Sequence, residues 1–197
     1  MFRFIETIRV ENKAFLHLEL HEERLNRTRR AFFGNVPFIN LKELIQLPES
    51  LNQSIYKCRI VYGSSIELVT FEPYMIKKID SLQLIMDDAI DYSFKYEDRS
   101  RLNQHLKHTT ADDIIVVKNG FITDTSFSNI TFFDGRKWLT PTTYLLNGTQ
   151  RSRLLQQNAM IEAEIRPSDL KHFKFVKLIN AMLDLETSPL IDIQVIK

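Results

Sequence analysis

The sequence predicts an α+β protein with two lobes, and two observations carry this prediction. Strand-like and helix-like segments follow one another without the regular strand–helix–strand order of α/β proteins. A polar stretch over residues 87–98 interrupts the hydrophobic periodicity and marks the expected boundary between the lobes. We therefore expect an N-terminal α+β lobe over residues 1–90 and a C-terminal lobe over residues 91–197.

In the N-terminal lobe, alternating apolar residues predict strands, and apolar residues spaced three or four apart predict helices. The predicted strands are 2–10, 14–18, 55–62, 66–76 and 81–86, the last three in one antiparallel sheet with a turn at Gly63. The predicted helices are 20–33, which Gly34 ends, and 40–46, which Asn40 caps.

In the C-terminal lobe, two turn dipeptides flanked by apolar runs predict two hairpins. The turns are Asn119-Gly120 and Asp134-Gly135. The predicted helices are 99–108, 149–159 and a short one opened by Pro167, and the predicted strands are 161–165, 175–180 and 190–196.

The composition excludes several classes of protein. With 44% hydrophobic and 26% charged residues, the chain is neither disordered nor fibrous. Lys and Arg number 26 against 25 Asp and Glu, so no nucleic-acid or membrane partner is expected. The single cysteine, Cys58, indicates a cytoplasmic protein without internal disulfides. His105 and His108 lack a supporting carboxylate cluster, so no metal site is expected.

The candidate functional residues are scattered polar residues that indicate a function only when they are considered together. Lys95 stands between two aromatic residues, and Asp124 ends a predicted strand. The segment Asn147-Gly148-Thr149-Gln150-Arg151 opens a helix, where free N–H groups favour a phosphate, and Arg24 lies on the first helix. A lysine, an acid, a phosphate cup and an arginine are the groups that hold pyridoxal 5′-phosphate (PLP).

At these residues the sequence resembles the class IV aminotransferase family, the PLP enzymes of fold type IV. FIETIRV with HEERL resembles the family's opening, and the 111–141 segment resembles its double-hairpin signature. LLNGTQR resembles the phosphate segment, and Asn180-Ala181-Met182 is similar to the Asn-Ala-Leu of aminodeoxychorismate lyase. The four pieces occur in the family's order. The resemblance implies the two-lobed fold of D-amino-acid aminotransferase, with a shortened N-terminal lobe because the hairpin before FIETIRV is absent.

The resemblance also implies a role for each matching residue. Lys95 would form the Schiff base with PLP, and Asp124, where the family usually has Glu, would contact the ring nitrogen. The phosphate would be held by Arg24, Gly148, Thr149 and Gln150, and Ser128 and Asn129 would support the acid and the cofactor. The substrate would meet Asn180, Ala181 and Arg59, the last replacing the arginine expected where Tyr62 stands.

Three functions follow from the resemblance. The first is an aminodeoxychorismate lyase-like enzyme, which eliminates pyruvate from a small amino-acid-like substrate and leaves 4-aminobenzoate. The second is a branched-chain or D-amino-acid aminotransferase. The third is a PLP-binding or scaffold protein without catalysis. For either enzyme the family implies a homodimer.

Overall fold

A computed structural model describes residues 2–197, which form two compact units. Unit 1 contains the chain up to Ile76 together with Phe94–Asp98, and unit 2 contains Lys77–Ser93 and Arg99–Lys197. The short segment that carries Lys95 thus folds with unit 1, although the preceding residues fold with unit 2. The lobe limits expected from the sequence, 1–90 and 91–197, remain a prediction.

Unit 1 is built on an antiparallel sheet with the strand order β2-β1-β3-β4. The strands are β1 (Phe4–Glu11), β2 (Ala14–Phe15), β3 (Tyr56–Tyr62) and β4 (Ile66–Pro73). β2 is shorter than predicted because His17 adopts a left-handed conformation, with φ 53°, and starts a helix at the next residue.

The helices of unit 1 are α1 (Leu18–Phe33) and α2 (Leu41–Leu44). Leu25 of α1 is fully buried in one core with Phe4 and Ile8 of β1, which fixes the face that the helix presents to the sheet. The predicted end of α1 and the predicted start of α2 are both confirmed. Gly34, with φ 73°, ends α1, and the Asn40 side chain accepts hydrogen bonds from the Lys42 and Glu43 amides at the start of α2.

Unit 2 contains the larger sheet, in which the strands follow the order β10-β9-β8-β7-β6-β5 and β11 pairs with β8 and β12. The strands are β5 (Leu82–Met86), β6 (Asp113–Lys118), β7 (Phe121–Thr125), β8 (Asn129–Phe133), β9 (Trp138–Pro141), β10 (Ile161–Ala163), β11 (Phe175–Ile179) and β12 (Ile191–Asp192). β6 is buried on both faces, since Ile114 and Ile115 belong to different apolar clusters. An apolar run without alternation is what such a strand requires.

The helices of unit 2 are α3 (Ser100–Lys107), α4 (Thr149–Gln156) and two 3₁₀ segments, Pro167–His172 and Ile193–Val195. The two hairpins are confirmed. Asn119 and Gly120 both have positive φ, 52° and 80°, which suits the tight turn between β6 and β7. Within residues 2–197 no helix combines the length and the apolar character needed to span a membrane.

Three predicted elements are corrected by the structure. The strand at 81–86 does not continue the antiparallel sheet of unit 1, because it pairs parallel with β6 in unit 2 and buries Leu82 there. The strand expected over 190–196 ends at Asp192, whose side chain accepts the Gln194 amide and starts a 3₁₀ turn. The helix expected over 149–159 ends at Gln156, shortly before Asn158 adopts a left-handed φ of 54°.

Candidate active site

The centre of the candidate site in unit 2 is a pair of cross-strand neighbours, Asp124 of β7 and Asn129 of β8. The connecting loop is short and is closed by Thr125, whose hydroxyl accepts the Ser128 amide at 3.1 Å. A side chain that replaces a backbone partner in this way stabilises a tight turn. The turn therefore brings the predicted acid and the signature asparagine together.

Asp124 is buried, and protein groups bind both oxygens of its carboxylate. Oδ1 accepts a 2.7 Å hydrogen bond from Asn129 Nδ2, and Oδ2 accepts the backbone amides of Leu145 and Leu146, each at 2.9 Å. Burial raises the pKa of Asp124 to about 6, and these donors, with the charge of Arg151, limit the rise. The carboxylate is therefore charged at neutral pH. Oδ1 accepts one of these bonds where a carboxylate oxygen can accept two.

The N-terminus of α4 lies directly against Asn129. A Cβ added to Gly148, the N-cap residue, would stand 2.1 Å from Asn129 Oδ1, so no larger residue fits without moving that side chain. No side chain caps the helix, and the next three residues are buried. Among residues 2–197, the buried Nε2 of Gln150 and Nε of Arg151 have no hydrogen-bond partner. Uncapped amides at a helix N-terminus suit an anion such as a phosphate.

Asn180 directly follows β11 and shapes the turn that contains Ala181. Its Oδ1 accepts the backbone amides of Met182 and Leu183 at 2.8 and 3.1 Å. Its Nδ2 donates to Ser128 Oγ at 2.7 Å, which ties this turn to the signature loop. The structure therefore connects Ser128, Asn180 and Ala181 within one part of unit 2.

In unit 1, Arg24 is held by a buried carboxylate. Its Nε donates to Glu6 Oε1 at 2.8 Å and its Nη2 to Glu6 Oε2 at 2.6 Å. Oε2 also lies 2.7 Å from Nδ1 of His21. Glu6 and His21 were not among the predicted site residues. The sequence did offer a signal for Glu6, because this acid alternates with Phe4 and Ile8 and so lies on the apolar face of the predicted strand.

Lys95 lies beside β1 in unit 1. Its carbonyl accepts the Ile5 amide at 2.9 Å, and the next residue, Tyr96, forms an antiparallel bridge with Phe4. The aromatic neighbours of the lysine join the same core, with the rings of Phe94 and Phe4 6.3 Å apart. These contacts fix the backbone of Lys95 while its side chain carries the amine.

Arg59 extends from β3 and is paired with Glu97, two residues beyond Lys95, at 3.0 Å. Arg3 binds the other oxygen of that carboxylate at 3.1 Å. A substrate carboxylate on Arg59 would therefore compete with Glu97.

His105 of α3 and His108, which directly follows this helix, have separate protein partners. His105 Nε2 lies 2.7 Å from Asp87, and His108 Nδ1 lies 2.7 Å from the carbonyl of Gln104. Within the described residues, no group of three or more His, Cys, Asp or Glu side chains is arranged to hold a metal ion.

The predicted site residues thus fall into two groups. Unit 1 carries Arg24, Arg59 and Lys95, and unit 2 carries Asp124, Ser128, Asn129, Gly148, Thr149, Gln150, Asn180 and Ala181. Within unit 2, the structure joins Asp124, Asn129 and Gly148 directly, and a separate hydrogen bond joins Ser128 to Asn180.

Comparisons with known proteins bear on the family and the fold. The profile of amino-transferase class IV matches residues 93–185. An uncharacterised protein from Haemophilus influenzae is 39% identical over 185 residues, 92% of this chain and 98% of that protein. The structure of a candidate 4-amino-4-deoxychorismate lyase from Haemophilus somnus matches with a TM-score of 0.85 and 31% identity, over 94% of this chain and 98% of that chain. A candidate amino-acid aminotransferase from Mesorhizobium loti shares the fold, with a TM-score of 0.81 and 20% identity over 100% and 99% of the two chains.

The fold is that of the fold type IV PLP enzymes. The chain belongs to the class IV aminotransferase family, whose members depend on PLP.

The side chains present fit that cofactor. Asp124 offers a buried carboxylate oxygen that can accept a further N–H, as a protonated ring nitrogen requires. The uncapped start of α4, with the unpartnered Nε2 of Gln150 beside it, offers donors for a phosphate.

Proposed function

We propose that the protein is an aminodeoxychorismate lyase-like enzyme that removes pyruvate from a 4-amino-4-deoxychorismate-like substrate and leaves 4-aminobenzoate. The observation that carries the proposal is the turn at Asn180-Ala181-Met182, which resembles the lyase and which Asn180 shapes through both ends of its amide. The 31% identity to the candidate lyase of Haemophilus somnus over 98% of that chain supports the same branch of the family.

Each residue in the proposal has a role that its surroundings support. PLP, when bound, withdraws electrons from the substrate carbon that carries the amine. Arg24 and the amides of Gly148, Thr149 and Gln150 bind its phosphate, and Asp124, charged at neutral pH, keeps a proton on the ring nitrogen. Asn129 orients Asp124, and Ser128 supports Asn180.

The ε-amine of Lys95 would hold the cofactor, and the same amine would act as the base and acid of the reaction. It accepts the proton from the carbon that bears the amine. Cleavage of the C–O bond on the neighbouring ring carbon releases the pyruvate unit as its enolate, which takes up the proton from Lys95 to give pyruvate, and the ring becomes aromatic. The atoms of the substrate are those of the two products, so neither water nor an oxidant is consumed. Arg59 and the Asn180-Ala181 turn bind the substrate's carboxylates.

The test supplies the purified protein with 4-amino-4-deoxychorismate and, separately, with amino acids and keto acids. We expect equal amounts of pyruvate and 4-aminobenzoate when no keto acid is added. Amino transfer that depends on a keto acid, with no pyruvate released, would replace the proposal by the aminotransferase alternative. Bound cofactor without either reaction would favour the binding-protein alternative.

Attachment of the cofactor is tested with Lys95→Ala and, as a matched control, Lys107→Ala on the exposed end of α3. Borohydride should fix PLP covalently to the wild-type protein and to Lys107→Ala. It should leave Lys95→Ala unlabelled and folded. Labelling of Lys95→Ala would contradict the proposed role of Lys95.

We further propose that the enzyme is a cytoplasmic homodimer, as the family resemblance implies. Closed two-fold symmetry is the commonest arrangement of soluble oligomers. Light scattering at assay concentration should give about twice the mass of the 23.2 kDa chain. A fully active monomer would contradict this part of the proposal.

A further inference from the structure

Glu6 is a completely buried carboxylate in the core of unit 1. It lies on β1 between Phe4 and Ile8, both fully buried, so the pleat directs all three toward α1. From α1, His21 and Arg24 face it, because residues three apart lie on the same side of a helix. A charged group at this position of a strand needs partners from the facing helix.

The geometry around Glu6 fixes the orientation of both partners. Arg24 donates through Nε and Nη2 to the two carboxylate oxygens, at 2.8 and 2.6 Å, a bidentate contact that defines the plane of the guanidinium. His21 Nδ1 lies 2.7 Å from Oε2, and an ionised carboxylate can only accept, so Nδ1 carries the proton. Burial raises the pKa of Glu6, but Arg24 and His21 outweigh it and lower this pKa to about 2. Glu6 is therefore charged at neutral pH.

A buried ion pair is a weak source of stability, because the loss of hydration offsets much of the attraction. What the pair provides is a single orientation of a buried arginine. The cluster also lies close to Lys95. Ile5, the neighbour of Glu6, donates its amide to the Lys95 carbonyl at 2.9 Å, and the charge of Lys95 is among the causes that lower the pKa of His21, after burial.

We propose that Glu6 is a positioning residue that fixes the guanidinium of Arg24 for binding the phosphate of PLP and sets the tautomer of His21. The inference rests on the proposed role of Arg24 in phosphate binding. It assigns to Glu6 an effect on one part of the cofactor, the phosphate, rather than on the ring. A merely structural Glu6 would affect both parts equally.

The test compares the dissociation constants of PLP and of pyridoxal, which lacks the phosphate, for the full-length apo-protein. In Glu6→Gln the amide nitrogen cannot accept from Arg24, so the bidentate contact is lost. We expect the Kd of PLP to rise at least tenfold and that of pyridoxal to rise less than threefold. Glu22→Gln is the matched control, since Glu22 lies on the same helix as Arg24 but its carboxylate accepts the Leu41 amide at 2.7 Å. It should leave both constants within about twofold.

Glu6→Asp keeps the charge and withdraws the carboxylate by one methylene, so it should give a smaller, still phosphate-selective loss. It also serves as the test if Glu6→Gln does not fold. Equal losses of PLP and pyridoxal in both variants would reduce Glu6 to a structural residue, and unchanged PLP binding would exclude any role in positioning Arg24. A wild-type protein that binds neither compound would overturn the proposed function itself, a result distinct from failure of the inference alone.

Discussion

Asn129 holds Asp124 through a 2.7 Å hydrogen bond from Nδ2 to Oδ1 of the buried carboxylate. The same Nδ2 donates to the carbonyl of Leu146 at 2.9 Å, so both of its hydrogens are used. On the other side, Asn129 Oδ1 lies where a side chain on Gly148 would stand. The side-chain amide of Asn129 thus contacts Asp124 of β7, the loop before α4 at Leu146, and Gly148, the N-cap residue of α4.

Gly148→Ala tests this packing. The added methyl carbon would lie 2.1 Å from Asn129 Oδ1, and that side chain cannot turn away without losing its two hydrogen bonds. We expect the free energy of unfolding to fall by about 1–3 kcal/mol, the usual cost of overpacking, and PLP to bind more weakly. Urea denaturation and cofactor titration measure the two effects.

The control for Gly148→Ala is the same substitution in an Asn129→Ala background. With the amide gone, the methyl group has room, so the further loss of stability should be small. The difference between the two backgrounds is the coupling between the residues. Additive losses would mean that Gly148 is required for another reason, such as close approach of a ligand to the backbone.

Asp124→Asn removes the charge at nearly constant shape. If the carboxylate keeps a proton on the cofactor's ring nitrogen, kcat should fall at least ~100-fold, which corresponds to roughly 2.7 kcal/mol of transition-state stabilisation. Asp124→Glu, the residue usual in the family, should retain more activity. The measurement is kcat of both variants at full cofactor occupancy, and a wild-type kcat in Asp124→Asn would reduce Asp124 to a residue of the turn.

The local parts of the fold could be predicted from the sequence. The hairpin at Asn119-Gly120, the cap at Asn40 and the helix end at Gly34 each depend on a few neighbouring residues whose preferences are strong. Asp124 and Asn129 lie close together because a short loop joins their strands. A sequence motif that includes the whole loop therefore predicts this contact.

The long-range parts could not be predicted. β5 pairs parallel with β6, with Leu82 opposite Asp113, and no local signal distinguishes this from the antiparallel pairing that was expected. Glu6 shows the same limit within the candidate site. The spacing of His21 and Arg24 is visible in the sequence, but only the packing of α1 on β1 shows which carboxylate they meet.

The pH dependence of stability should reveal the burial of Asp124. Its pKa is raised to about 6, so between pH 4 and pH 6 the folded protein retains a proton that the unfolded chain has lost. Stability should therefore fall as the pH rises through this window, by about 3 kcal/mol from this group, and stay level above it. Chemical denaturation at several pH values measures the slope. In Asp124→Asn that slope should be smaller, and an identical slope would contradict the raised pKa.

Asp87 should affect the pH dependence of stability in the opposite direction to Asp124. Its buried carboxylate accepts a 2.6 Å hydrogen bond from Arg101 Nε and lies 2.7 Å from His105 Nε2, so it ties the residue after β5 to α3. The hydrogen bond from Arg101, followed by the contact with His105, outweighs burial and lowers the pKa of Asp87 to about 2. The stabilisation is therefore present above pH 4 and lost as the pH falls toward 2.

Asp87→Asn should lower the free energy of unfolding at neutral pH by about 1.5–3 kcal/mol, the usual worth of hydrogen bonds to a charged group. Asp88→Asn is the matched control, because this neighbour is exposed and its carboxylate accepts only the Asn119 amide, at 2.6 Å, among the hydrogen bonds of residues 2–197. It should cost less, since solvent can replace that bond. The difference in stability between wild type and Asp87→Asn should shrink from pH 4 to pH 2, as the wild-type carboxylate becomes protonated and loses its advantage. A difference that stays constant over this range would show that the ion pair with Arg101 does not stabilise α3.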